Sequence, residues 1–269
     1  MPSRNVLVVG MPRSGTSMTA YVFARQGYFV AESPEEDLRP GDAFNPTGYW
    51  EPRPVIDANA DLFGAVGYPH NNTWLYDPIS TDQVDAIAAL PARDRHRALV
   101  RRYDAHPPWI WKDPRLCYTL AYWWPLMNPA TTAVLLIRRD PEEILQSFVR
   151  LGWRDGDAAR AEVTACVQSH LGAAERAIER LRIPHLAVDY ADFETRPAET
   201  AARISAFFGV RVRAEDLGYR HVLNHSHGFG WLSGCAMRVA NQMPGGVRRL
   251  VKRVLPAAVL NRVFPGLVR

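Results

Sequence analysis

Short, wholly apolar runs alternate along this chain with longer stretches whose apolar residues recur every three or four positions. Residues 6–9, VLVV, are an uninterrupted apolar run closed by Gly10, and TTAVLLI at 131–137 is a second, longer one. Runs of this length with no polar face predict strands buried on both sides, as in a parallel sheet. WIW at 109–111, YFVA at 28–31 and HLAVDY at 185–190 predict three more strands. Helical periodicity predicts helices over 14–26 (stopped by Gly27), 54–66, 81–90 and a region reaching Tyr103. It predicts further helices over 115–127, from Pro141 to about residue 153, 157–182 (ended by Pro184) and 197–208. Strands alternating with helices build βαβ units, so the expected fold is α/β: a central parallel sheet flanked by helices in three layers. Residues 33–53 are rich in Pro, Gly, Asp and Asn and form a loop long enough to suggest a functional role.

Composition adds little to this until charge is located. The chain has 269 residues, 47% apolar and 22% charged, which suits one large globular domain. The formal net charge is +4, but from residue 217 onward there are eight basic residues and no Asp or Glu. The organisation expected is therefore an α/β core over residues 1–217 and a basic extension over 218–269, packed on or near it. That extension suits an anionic partner or the inner face of a membrane. Its basic and apolar residues do not carry a stacking motif, so nucleic acid is not expected. Cys117, Cys166 and Cys235 are far apart with no C-x-x-C, which points to a reducing, cytoplasmic setting. The five residues before the first strand leave no room for a signal peptide. No apolar run approaches the roughly 18–20 residues of a membrane span.

Candidate chemistry concentrates at the first strand's end. GMPRSGTS at 10–17 keeps the glycine spacing of a phosphate loop, G-x-x-x-x-G-K followed by Ser or Thr. Thr16 stands in the lysine's slot, and the loop's strong cation is Arg13 instead. A strand, a glycine loop and a helix start gather backbone N–H groups and the positive end of a helix dipole at one point. Arg13, Ser14, Gly15, Thr16 and Ser17 are accordingly candidate anion ligands. Triphosphate hydrolysis would have lost its principal cation here.

PRSGTS after an apolar strand resembles the 5′-phosphosulfate loop of sulfotransferases that use 3′-phosphoadenylyl sulfate (PAPS) and release adenosine 3′,5′-bisphosphate. The resemblance extends over roughly residues 5–209 and implies a P-loop-like fold. In that family a second anchor holds the 3′-phosphate: an arginine at a strand end and a serine eight residues later. AVLLIRRDPEEILQSFVR supplies Arg139 and Ser147. An arginine fork and a hydroxyl two turns into the next helix can close on a phosphate without the analogy. Taken alone, the pair also reads as a helix cap and a surface serine. VDYADFETRPAETAARISAFFGV resembles the family's strand–Tyr-x-Asp–helix segment, which implies that Tyr190 lies near the adenine. NPTGYWE at 45–51 and WKDPRL at 111–116 resemble segments of bacterial and tyrosyl-protein members. HSHGFGWLSG, near residue 230, is only a loose counterpart of the family's C-terminal basic segment.

The resemblance implies an in-line displacement at sulfur, with no metal required, because sulfate carries less charge than phosphate and cationic side chains suffice. Arg13 is the candidate for the bridging oxygen and Lys112 for the reacting centre. An ion pair of Lys112 with Asp113 or Glu51 is the alternative. Related members use a histidine near the lysine strand or a glutamate after the second strand as base. Glu32, at the end of YFVAE, matches the glutamate version; Glu35, Glu36, Glu51 and Asp113 remain open. Burial would tune such a carboxylate upward toward general-base work. Trp50, Trp74, Trp109, Trp111, Trp123, Trp124 and Trp153 suit either an acceptor pocket or core. A hydroxyl, less readily an amine, of a small molecule, a glycan or a lipid-linked acceptor is the expected substrate. The competing readings are a P-loop small-molecule kinase and a non-catalytic nucleotide-binding module.

Overall fold

The computed structural model describes residues 2–38, 41, 45 and 48–217. The basic extension, Cys235 and HSHGFGWLSG lie outside them.

The described elements run β1 (Asn5–Val9), α1 (Thr16–Arg25), α2 (Pro34–Asp37), α3 (Arg53–Ala65), α4 (Thr81–Ala89), α5 (Asp94–Asp104) and β2 (Ile110–Lys112). They continue with α6 (Leu116–Trp123, prolonged by a 3-10 turn), β3 (Thr132–Arg138), α7 (Pro141–Leu151), α8 (Ala159–Leu181), β4 (His185–Asp189), α9 (Asp192–Thr195) and α10 (Pro197–Phe208). The sheet has the order β2-β1-β3-β4 and every pairing is parallel. Its strands alternate between two cores. Leu7, Val9, Trp109, Trp111, Val134 and Leu136 face a cluster built from α3 to α6 and the C-terminal half of α8. Val6, Val8, Ile110, Leu135, Ile137 and Val188 face α1 and α10. The expected three-layer α/β architecture is therefore what forms, because strands apolar on both faces need helices on both faces.

One expected strand does not form. YFVA is held to the sheet by a single bridge, Phe29 to Trp109, with Phe29 N–H donating to Pro108 O and Phe29 O accepting from Ile110 N–H. The segment instead turns inward, where the Tyr103 hydroxyl donates to Val30 O at 2.8 Å.

Parallel strands end at the same edge. Val8 of β1 lies beside Lys112, Val9 lies beside Leu136, and Arg138 beside Asp189. Gly10, Lys112, Arg139 and Tyr190 therefore all emerge at one carboxyl-terminal edge, around the point where β1 is flanked by β2 on one side and β3 on the other. In open α/β sheets that crevice is where ligands bind.

Candidate active site

The β1–α1 loop is built for close backbone approach. A side chain at Gly10 would come within 2.7 Å of Ile137 O, so only glycine lets β1 leave the sheet against β3. Gly15 adopts φ 95°, and a Cβ there would sit 2.5 Å from the Tyr190 ring. Arg13 is itself left-handed at φ 68°, a conformation that an ordinary side chain takes at a cost. Ser14 is fully buried and its Oγ donates to Met11 O at 2.6 Å, so its hydroxyl shapes the loop from within. Helix α1 starts behind Gly15 without a side-chain cap and with no acidic residue in its first turn. By contrast α4 carries a full capping box of Ser80 with Gln83 and α7 is capped by Asp140. The first-turn N–H groups of α1, beside Thr16 and Ser17, therefore have no side-chain capping acceptor among the described residues.

The second anchor folds onto this loop. Arg13 Nε donates to Ser147 Oγ at 3.0 Å, and Arg139 Nη1 donates to Arg13 O at 2.6 Å. Arg139 Nε also pairs with Glu143 at 2.7 Å, and its guanidinium lies 4.1 Å from the Tyr190 ring centroid. Tyr190 is fixed by its backbone N–H to Arg138 O at 2.8 Å, so its ring packs between Arg139 and Gly15. Arg13, Ser14, Gly15, Arg139, Ser147 and Tyr190 are one constellation, although they come from three strand ends. Arg150, the last residue of the quoted segment, is half-buried one helical turn beyond Ser147, and burial, with the charges of Arg13 and Arg139, pushes its pKa down.

Lys112 sits at the next strand end, 3% exposed, with Nζ in contact with Glu51 Oε1. The turn that delivers Glu51 uses two left-handed residues, Gly48 (φ 89°) and Trp50 (φ 57°). Trp50 packs 5.6 Å from the Tyr21 ring on α1, and Pro52, the N-cap of α3, bridges to Leu38. GYWE is thereby clamped between α1 and α3 with its carboxylate toward β2. The neighbouring Asp113 points the other way: it is fully buried, accepting from Asn59 Nδ2 and Arg115 Nη1 at 2.7 Å each. Asn59 in turn accepts from Thr119 and Trp123, both at 2.8 Å, closing a buried polar network under the Lys-Asp-Pro-Arg segment.

Glu32 is not brought to Lys112. Its side chain is 48% exposed and pairs with Arg102 at 2.6 Å. Glu35 and Glu36 lie in the exposed helix α2. The tryptophans divide: Trp109, Trp111 and Trp123 are fully buried core, Trp124 is nearly so, and Trp50, Trp74 and Trp153 are only partly covered. Trp74 and Trp153 pack against the apolar cluster that includes Met11 of the loop, with Arg115 5.5 Å from the Trp74 ring. No group of three or more metal-ligating side chains converges among the described residues.

A family model described as "Sulfotransferase family" matches residues 5–214. Among solved structures, the chain is similar to the sulfotransferase domain of the olefin synthase from Synechococcus PCC 7002. Identity is 17% and TM-score 0.45, over 92% of this chain and 83% of that one. It is also similar to a sulfotransferase from Mycobacterium tuberculosis H37Rv, at 15% identity and TM-score 0.48, over 85% of this chain and 72% of that one. No curated protein matches.

Proposed function

The chain belongs to the sulfotransferase family, and we propose that it transfers a sulfuryl group from PAPS to a hydroxyl of a small-molecule, glycan or lipid-linked acceptor. The observation that carries the donor is the meeting of two phosphate anchors: Arg13 of the loop on Ser147, with Arg139 bonded to Arg13 O. A triphosphate loop needs one cluster of cations; a nucleotide phosphorylated at both ends of its ribose needs two that adjoin. The uncapped start of α1, with Thr16 and Ser17, takes the 5′-phosphosulfate. Arg139 and Ser147 take the 3′-phosphate, and Tyr190 lies against the nucleoside.

The reaction then asks three things of these residues. Glu51, through the oxygen not engaged by Lys112, accepts the proton of the attacking hydroxyl. Lys112 holds that carboxylate in place and offers positive charge at the reacting centre as the acceptor oxygen bonds to sulfur. Arg13 draws the electron pair of the breaking sulfur–oxygen bond onto the departing phosphate. Positioning and charge neutralisation supply most of the acceleration in such transfers. Glu51 takes the base role in preference to Glu32, because Glu51 contacts Lys112, the one lysine among the described residues, and Glu32 is paired with Arg102.

Calorimetric titration with adenosine 3′,5′-bisphosphate, beside ADP and ATP–Mg²⁺, tests the donor. Micromolar binding of the bisphosphate alone, lost in Arg139→Ala, is expected. Equal or tighter binding of ATP–Mg²⁺ would overturn the reading and promote a kinase.

A further inference from the structure

Asn59 is the one polar side chain on the buried face of α3, among Val55, Ala58, Leu62 and Phe63, and it is fully buried. Its Nδ2 donates to Asp113 Oδ2 at 2.7 Å, and its Oδ1 accepts from Thr119 Oγ1 and Trp123 Nε1 at 2.8 Å each. The reverse amide orientation would set an oxygen against a carboxylate and an NH2 against an indole N–H, so the network fixes the amide one way. Three elements meet at this side chain. Asp113 directly follows Lys112 at the end of β2, Thr119 and Trp123 belong to α6, and α3 begins just after Glu51. The contacts therefore close a ring. It runs from Lys112 to Asp113 along the backbone, to Asn59 across a hydrogen bond, back along α3 to Glu51, and across the ion pair to Lys112.

Apolar packing alone does not set that ring. Burial of Val55, Leu62 and Phe63 holds α3 against the core but is non-directional, so it fixes the helix less sharply along its axis than against the core. A hydrogen bond to a buried carboxylate is charge-assisted and directional. Asp113 is itself held on its other oxygen by Arg115 Nη1 at 2.7 Å and by the Arg115 backbone N–H at 3.2 Å. We propose that Asn59 is a positioning residue: by tying α3 to Asp113 it sets where Glu51 meets Lys112, and through that pair it controls the rate of sulfuryl transfer. The control of rate rests on the assignment of Glu51 and Lys112 to the reacting centre above; the positioning rests on the ring of contacts.

Asn59→Asp replaces the NH2 by an oxygen and turns one side of the ring repulsive. At pH 8 the new carboxylate faces that of Asp113. At lower pH the two share a proton, so the new group donates to Asp113 as the amide does, while its other oxygen still accepts from Trp123. The groups that α6 presents, Thr119 and Trp123, are uncharged; Arg115 is bonded to Asp113, and Asp61 on α3 is paired with Arg95.

The chain contains two lysines, Lys112 and Lys252, so lysine labelled with ¹³C at the ε-carbon gives two signals, which Lys252→Arg assigns. Glu51→Gln gives the position of the Lys112 signal without its partner. In Asn59→Asp at pH 8 the signal should move most of the way there, and at pH 5.5 it should return to that of the unaltered protein. Release of labelled sulfate from PAPS to water should fall roughly ten- to a hundredfold at pH 8, the effect of a misplaced catalytic group, with KM for PAPS within about twofold. On top of Glu51→Gln, Asn59→Asp should slow release by less than about twofold more, because a residue that acts through Glu51 then has nothing left to position. Thr119→Val, which removes one donor to Asn59, carries the same comparisons with smaller shifts if Asn59→Asp fails to fold. A Lys112 signal that stays in place, or a rate loss that multiplies with that of Glu51→Gln, overturns the role of Asn59 and leaves the base assignment intact. Sulfate release from Glu51→Gln as fast as from the unaltered protein overturns the base assignment and with it the control of rate.

Discussion

Arg13 Nε donates to Ser147 Oγ at 3.0 Å, joining the β1–α1 loop to the middle of α7 across 134 residues of chain. The bond orients the loop's cation toward the β3–α7 side of the crevice. It makes the β1–α1 loop and the start of α7 one unit, since Arg139 grips the backbone of the same arginine.

Ser147→Ala should therefore weaken adenosine 3′,5′-bisphosphate by about tenfold, corresponding to a net hydrogen bond of about 1–1.5 kcal/mol. Melting temperature should hardly move, because the alanine fits the space. A large stability loss with unchanged affinity would make Ser147 a structural residue only. Titration calorimetry beside a thermal melt separates the two.

In the proposed reaction the Glu51–Lys112 pair serves the chemistry and not the binding of the donor. Glu51→Gln should lower the rate of sulfuryl transfer by roughly 10²- to 10⁴-fold, the usual worth of a general base, with bisphosphate affinity unchanged. Glu32→Gln should stay within about threefold of the unaltered protein. Transfer of labelled sulfuryl from PAPS to water or to simple hydroxyl acceptors measures both. If Glu32→Gln is the inactive variant, the base is Glu32 and Glu51 serves only to hold Lys112.

Gly15→Ala tests the packing of Tyr190 on the loop. The left-handed φ of 95° and the 2.5 Å approach of the ring both oppose a Cβ, so a loss of about 1–3 kcal/mol is expected. Adding Tyr190→Ala should recover the part due to the ring and leave the backbone part. Additive losses in the double variant would mean that the two residues do not touch in solution.

His170 contributes to how the fold responds to acid. It is fully buried, with Nε2 2.9 Å from Thr73 Oγ1 and Nδ1 2.7 Å from Cys166 O. Cys166 O can only accept, so Nδ1 carries the proton and Nε2 accepts from Thr73. Burial pushes its pKa down from 6.5 to about 4, with Arg115 adding to the depression. A depressed histidine is neutral in the fold but takes a proton when unfolded, so stability is complete above pH 6.5 and lost as pH falls from 6.5 toward 4. The loss from this residue should reach roughly 3 kcal/mol near pH 4, at about 1.4 kcal/mol per pH unit. Burial also lowers His96, so His170→Gln should shrink the acid slope of a denaturation series without abolishing it. An unchanged slope would mean that His170 is not buried neutral in the folded protein.

Much of this protein is local, and so was open to reading from the chain alone. Apolar runs that lack a polar face become β1 to β3, and β4 forms as the partly covered edge strand beside β3. Proline and glycine mark helix ends at Pro141, Gly152, Pro197 and Gly209. The loop GMPRSGTS and the Arg139–Ser147 spacing are likewise short-range patterns, so both were legible as candidates in the chain itself. YFVA shows the limit: its propensity suits a strand, but it meets the sheet at one bridge only. The tryptophans show it again, because identical side chains become core at 109, 111 and 123 and partly open at 50, 74 and 153.

What only the tertiary structure decided is which distant side chains meet. Lys112 could have paired with Asp113 or Glu51 by composition; the register of β2 on β1 and the clamped GYWE turn send it to Glu51 and turn Asp113 toward Asn59. Glu32 and Glu51 are equivalent carboxylates in the chain, and the packing of Trp50 on α1 separates them. Periodicity is a property of neighbours along the chain and is written there directly. Approach across a sheet edge depends on every crossover between the partners, and the fold computes it once, from all of them together.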